Sequence, residues 1–106
     1  MEETFDTYCI DAGDLEVARD RVESALPVTF VLHDSMYWGG DYYLAKSNDL
    51  GKITIRRNAN SFTGALNEAA FPDCQMIISV SAPPDPQAIE AKLVAHGLRL
   101  LRRTVV

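Results

Sequence analysis

Histidine, aspartate and serine stand side by side at His33-Asp34-Ser35, the three side-chain types of a nucleophilic triad. Adjacent residues of an extended chain point to opposite faces, whereas a working triad is assembled from distant segments. The run therefore reads as a strand-end histidine followed by two turn formers. Gly39-Gly40 lacks the longer glycine spacing, the following Lys-Ser/Thr and the helix that a phosphate loop needs, and reads as a hairpin hinge. Arg56-Arg57 and Arg102-Arg103 each place one guanidinium on each face of a regular strand. They are expected to pair with acids of the first helix or to neutralise a carboxylate or phosphate ligand. Cys9 and Cys74 lack the close-paired spacing of a metal site, and read as two reduced thiols in or near the core. No metal and no cofactor are expected.

The stretch Tyr37-Trp38-Gly39-Gly40-Asp41-Tyr42-Tyr43 holds four aromatic residues within seven positions. Tyr42 and Tyr43 must face opposite ways on a strand, so one core cannot absorb all four. Tyrosine and tryptophan bury large areas at small entropic cost and dominate binding hot spots. Tyr37, Trp38 and Tyr42, with Asp41 among them, are therefore expected to anchor a protein partner. Charge points to the kind of partner. The net charge is −5, and residues 1–24 carry eight acids against Arg19 and Arg21. Such a balance argues against nucleic-acid binding, which needs clustered Lys and Arg. It suits a basic protein, with Asp14, Glu16, Asp20 and Glu23 of a first helix guiding the encounter.

The elements that must position these residues are legible in the periodicity. Thr4–Ile10 reads as a strand and Asp14 as the N-cap of a helix over Leu15–Leu26, with Leu15, Ala18, Val22, Ala25 and Leu26 at helical spacing and Pro27 as the stop. Val28–His33 reads as a buried strand, Asp41–Ala45 as a return strand, 47–51 as a turn, and Lys52–Arg57 as a strand with one wet face. Asn58–Asp73 is irregular, and a short helical turn near Ala65–Ala70 fits its composition. Gln75–Ser81 reads as a central strand. Asp85-Pro86 opens a second helix with an apolar stripe of Ile89, Leu93 and His96, stopped by Gly97, and Leu98–Val106 closes the chain as a strand. The order β-α-β-β-β-β-α-β predicts an α+β fold of two layers. Both helices lie on one face of a mostly antiparallel sheet, related to the ferredoxin-like split β-α-β with an inserted hairpin.

The 106 residues suit a single domain, 1–106, and 47% apolar content suits a globular one. No apolar run reaches the roughly 20 residues that span a bilayer, and the acidic Met1-Glu2-Glu3 does not open like a signal peptide, so a cytoplasmic protein without membrane contact is expected. A homodimer through the leucine-bearing final strand is compatible with an exposed edge there.

Gly40-Asp41-Tyr42-Tyr43, Ile53 to Asn58, Phe71-Pro72, Met76 to Val80 and Leu98 to Arg103 together resemble small uncharacterised bacterial proteins, some of them like the immunity partners of contact-dependent or polymorphic toxins. The resemblance covers roughly residues 37–106, lies in turns and strand ends, and assigns no functional residue. It implies a non-enzymatic protein-binding module, immunity-like or regulatory, with a basic toxin or nuclease as partner. The alternative is a small hydrolase or small-ligand-binding protein using the Tyr37–Tyr43 loop and Arg56.

Overall fold

A computed structural model describes residues 2–35, 40–60 and 62–106. Its elements follow the expected order: β1 (Thr4–Ile10), α1 (Leu15–Ala25), β2 (Val31–Ser35), β3 (Gly40–Ser47), β4 (Gly51–Arg57), β5 (Met76–Ser81), α2 (Pro86–Ala95) and β6 (Arg99–Val105). The six strands form one sheet, ordered β2-β3-β4-β5-β1-β6, in which every neighbouring pair is antiparallel. β5 thus separates the parallel strands β1 and β4, and the β2–β3 hairpin is inserted between α1 and β4. The fold is α+β, as its periodicities require. No helix among the described residues is long and apolar enough to cross a membrane.

Local chemistry sets the helix ends. Asp14 Oδ1 accepts the Val17 N–H at 2.8 Å, and Asp85 Oδ1 accepts that of Ala88 at 3.2 Å, each satisfying a free amide of a first turn. α1 packs on β4 and β3, α2 packs on β6, and the helices touch each other. Leu15, Ala18 and Val22 of α1 and Ile89 and Leu93 of α2 meet Tyr8, Ile10, Ile53, Ile55, Ile78 and Val80 in the main core. Fully burying one such isoleucine contributes roughly 1.5–3 kcal/mol. Gly51 turns β3 into β4 at φ 81°, where a Cβ would also run into the Ser81 carbonyl oxygen.

Four expectations are corrected. The strand expected over Val28–His33 is displaced to Val31–Ser35 and lies exposed at the sheet edge. Its β-branched composition suits a strand, but no helix reaches over it. Just before it, Phe30 is buried in the core, where it meets Tyr43 edge-on at 6.5 Å, and Val28 packs partly against the same core. His96 is no part of the α2 stripe. It caps the helix exposed, its Nδ1 2.9 Å from the Lys92 carbonyl oxygen, because the chain reverses at Gly97 before another buried position arises. No helical turn forms at Ala65–Ala70, where Ala59 and Leu66 instead make a β-bridge.

The cysteines are corrected most. Cys9 and Cys74 are bonded to each other, with Cα atoms 5.9 Å apart across 65 positions. Cys9 lies on the sheet face away from the helices, where it, Cys74 and Ile77 form a second buried cluster flanked by Phe71 and Leu101. The segment between β4 and β5 crosses this face. Buried Asn58 holds it there: its Nδ2 donates to the carbonyls of Phe71 (3.0 Å) and Cys74 (2.9 Å), and its Oδ1 accepts from the Glu68 N–H (2.8 Å). Sequence spacing 65 positions apart carries no information about this approach; the antiparallel β1–β5 pairing, Cys9 opposite Ile77, creates it.

On the helix side, under α2, Asp6 is buried and receives both nitrogens of a bidentate Arg103 at 2.8 Å, while Arg103 also reaches Glu90 at 2.9 Å. The Tyr8 hydroxyl is buried with no hydrogen-bond partner among the described residues. Burial, and then the charges of Asp6 and Glu90, push its pKa well above the ordinary tyrosine value, Arg103 offsetting part. The folded chain therefore holds this proton more tightly than the unfolded chain. The corresponding stability is whole below about pH 10, where an unfolded tyrosine is also protonated, and is lost as the pH rises beyond it. Tyr8→Phe is expected to leave neutral-pH stability unchanged or raised by about 1 kcal/mol and to flatten the alkaline decline. Urea unfolding at neutral pH and at alkaline pH checks both; an undiminished alkaline decline in the variant would assign it to other groups.

Candidate functional site

Among the described residues, one surface left uncovered is the end of the sheet at β2. Its residues divide by face. His33 pairs with Tyr42 and Tyr42 with Arg56, so these three form a row on the face away from the helices. The His33 and Tyr42 rings stack at 5.4 Å and 20°. Arg56 is half-buried, and this burial lowers its pKa from the ordinary arginine value, partly offset by Glu68.

On the helix side Leu32 pairs with Tyr43 and Asp34 with Asp41. The two carboxylates stand directly opposite each other, both exposed, and neither enters an ion pair among the described residues. Like charges in that register repel. Leu32 beside them is 53% exposed, and Val31 on the other face 59%. Tyr43 by contrast is core: its hydroxyl accepts from Arg19 Nη1 at 3.0 Å, and the guanidinium lies 5.2 Å from its ring, tying α1 to β3. α1 therefore stops short of β2.

The expected site residues separate accordingly. Tyr42 and Asp41 lie on the β3 strand of this edge, facing opposite ways. Tyr37 and Trp38 lie outside the described residues, as does Gly39. The four acids assigned to the first helix divide in two. Asp14 is spent on the N-cap, and Glu23 Oε2 accepts the Phe30 N–H at 2.9 Å. Glu16 and Asp20 are exposed, Asp20 paired with Arg19 at 2.9 Å. The arginine pairs do split between the faces, and the second pair meets no acid of α1 among the described residues: Arg102 meets Glu68 at 2.8 Å and Arg103 meets Asp6 and Glu90. Asp34, expected as a turn former, instead continues β2 and stands in register with Asp41. Neither Val31 to Ser35 nor Gly40 to Leu44 alternates apolar with polar residues, so no period-2 signal reveals it.

No family model matches this chain, and no curated protein matches it. The geometry must therefore speak for itself. A cavity of about 320 Å³ opens at the far end of β4 and β5, lined by Gly13, Arg57, Asn58, Leu66, Cys74 and Met76 among others, and holds neither His33 nor His96. Among the described residues no group of three or more His, Cys, Asp or Glu side chains could hold a metal ion. In the His33-Tyr42-Arg56 row His33 is exposed, Tyr42 and Arg56 are half-buried, and the stacked rings of His33 and Tyr42 engage each other.

Proposed function

We propose that the protein is a non-enzymatic binding module of the immunity or regulatory kind, engaging a basic protein partner through the β2–β3 end of its sheet. The Asp34–Asp41 pair beside exposed Leu32 carries the reading. Two carboxylates in direct cross-strand register weaken the free protein, and cations of a partner would turn that repulsion into attraction. An apolar anchor within an acidic rim is the composition of a small interface, and the exposed Glu16 and Asp20 add long-range steering toward positive charge. The resemblance over residues 37–106 to immunity-like proteins points the same way.

The reading of location follows the cysteines. Cytosolic thiols are held reduced, and a structural disulfide belongs with oxidising surroundings. The Cys9–Cys74 bond therefore weighs against a reducing cytoplasm as the place of action and in favour of a compartment where the bond persists.

The alternative, a small hydrolase or ligand-binding protein, is favoured only by the alignment of His33, Tyr42 and Arg56 in one row.

Affinity capture from the native cell, with the captured protein identified, tests the proposal. Asp34→Lys/Asp41→Lys should weaken capture of a basic partner by roughly tenfold or more, with a smaller difference at high salt, where exposed charges are screened. Asp49→Lys/Asp73→Lys makes the same charge change at exposed positions away from this edge and should leave capture unchanged. Equal loss in both double variants would mean that net charge alone is being read and would sink the assignment of this surface.

A further inference from the structure

The sheet has two edges, and the chain treats them differently. β6, at one end, carries Arg99, Arg102 and Arg103, and its pairing with β1 shifts register between Thr7 and Tyr8. Arginines and a bulge are the means by which natural sheets keep foreign strands off an edge. β2, at the other end, has none of these. Its five residues pair with β3 in unbroken register from Val31–Leu44 to Ser35–Gly40, with no proline and no cation. It exposes Val31 on one face and Leu32 on the other. Among the described residues no strand lies beyond β2, so between Val31 and Asp34 one row of backbone N–H and C=O groups points away from β3.

We propose that the partner binds by strand addition: an extended segment of the basic protein pairs with the outer edge of β2 and becomes a seventh strand. The inference rests on the reading of a basic partner and adds the mode of recognition. Backbone groups along β2 would supply affinity, and alternate side chains would supply specificity. On the helix side the incoming strand must place an apolar residue against Leu32 and, two positions away, a lysine or arginine against Asp34, with Asp41 behind it. On the other face it needs an apolar or β-branched residue against Val31. The segment recognised is therefore an alternating strand whose helix-side positions carry one apolar and one basic residue. A second copy of this chain is a poor occupant, because two β2 edges would bring two Asp34–Asp41 pairs together without a cation.

The test uses the full chain, isotopically labelled, and three nine-residue synthetic peptides. The first alternates threonine with valine and lysine in turn, the second has the same sequence with every backbone amide N-methylated, so that neither edge can donate, and the third replaces lysine by glutamine. Strand addition requires that the first peptide slow amide exchange within Val31–Ser35 by about tenfold or more and that the methylated one bind at least about tenfold more weakly, since only the backbone donors differ. Unchanged exchange in β2, or equal binding of the first two peptides, overturns the proposal while leaving the basic-partner reading intact. Protection by the glutamine peptide equal to that by the lysine peptide upholds strand addition and instead overturns the basic preference. Protected β2 amides in the free protein, together with a dimeric mass by light scattering, would assign the edge to a second copy and overturn it.

Discussion

Removing the Cys9–Cys74 bond is expected to lower the unfolding free energy by roughly 4 kcal/mol, the chain-entropy value for a closed loop of this length. The two half-cystines are 65 positions apart, so the bond restricts most of the unfolded chain. Against a total of about 5–15 kcal/mol for an ordinary domain, that is a large share. Local losses add to it. Cys74 ends the segment that crosses the open sheet face, and with Phe71 it shields Ile77, which is fully buried. Freed from Cys9, that segment retains the Asn58 hydrogen bonds and the Arg102–Glu68 ion pair, the latter half-exposed on its arginine side and weak for that reason. Denaturant unfolding of Cys9→Ala/Cys74→Ala beside the oxidised wild type measures the effect, and wild type treated with a dithiol should match the double variant. A midpoint unmoved by either treatment would show that the bond does not form in solution. Amide exchange should rise first in 58–74 and last in β5.

Replacing Arg103 with methionine is expected to cost about 3–5 kcal/mol, because it strands a charge in the interior. The Asp6 side chain is 1% exposed, and Arg103 supplies both hydrogen bonds to its carboxylate at 2.8 Å. The same bonds, reinforced by Glu90, raise the pKa of the guanidinium above its ordinary value. Arg103→Lys should recover only part of the loss, since an ammonium cannot meet a carboxylate in the bidentate geometry. Changing both partners together to apolar residues, Asp6→Leu/Arg103→Met, should recover most of it, because an ion pair taken out of water repays its own desolvation only narrowly. A double-mutant cycle read by thermal or urea unfolding gives the coupling directly. Additive losses with no recovery in the double variant would mean that the cost lies in packing under α2 and not in the buried charge.

Both effects come from contacts between residues far apart in the chain, and that is the line dividing what could be read early from what could not. Asp14 before an apolar 3.6-residue period, Asp85-Pro86 before another, and the clean alternation of Ile53 and Ile55 against Thr54 and Arg56 each encode a local choice whose energy is decided within a few residues. Those choices determined the eight elements, their order and the α+β class, with most boundaries within two positions. The segment 28–30 has a composition that fits a strand equally well, yet it lies outside β2. What excluded it was the reach of the helical layer, which covers β3 and β4 and leaves β2 outside.

The acidic character of α1 was also legible, and the division of labour within it was not. Asp14 and Glu23 are consumed by the N–H groups of Val17 and Phe30, which only a folded backbone brings to them. Composition and local spacing thus determined an acidic α+β domain with four aromatic residues concentrated within 37–43. Tertiary structure alone decided that Cys9 meets Cys74, that Asp6 is buried against Arg103, and that Asp34 faces Asp41 at the edge of the sheet. The reason is physical: pairing register and sheet order are set by the sum of many long-range contacts, and no single residue along the chain carries that sum.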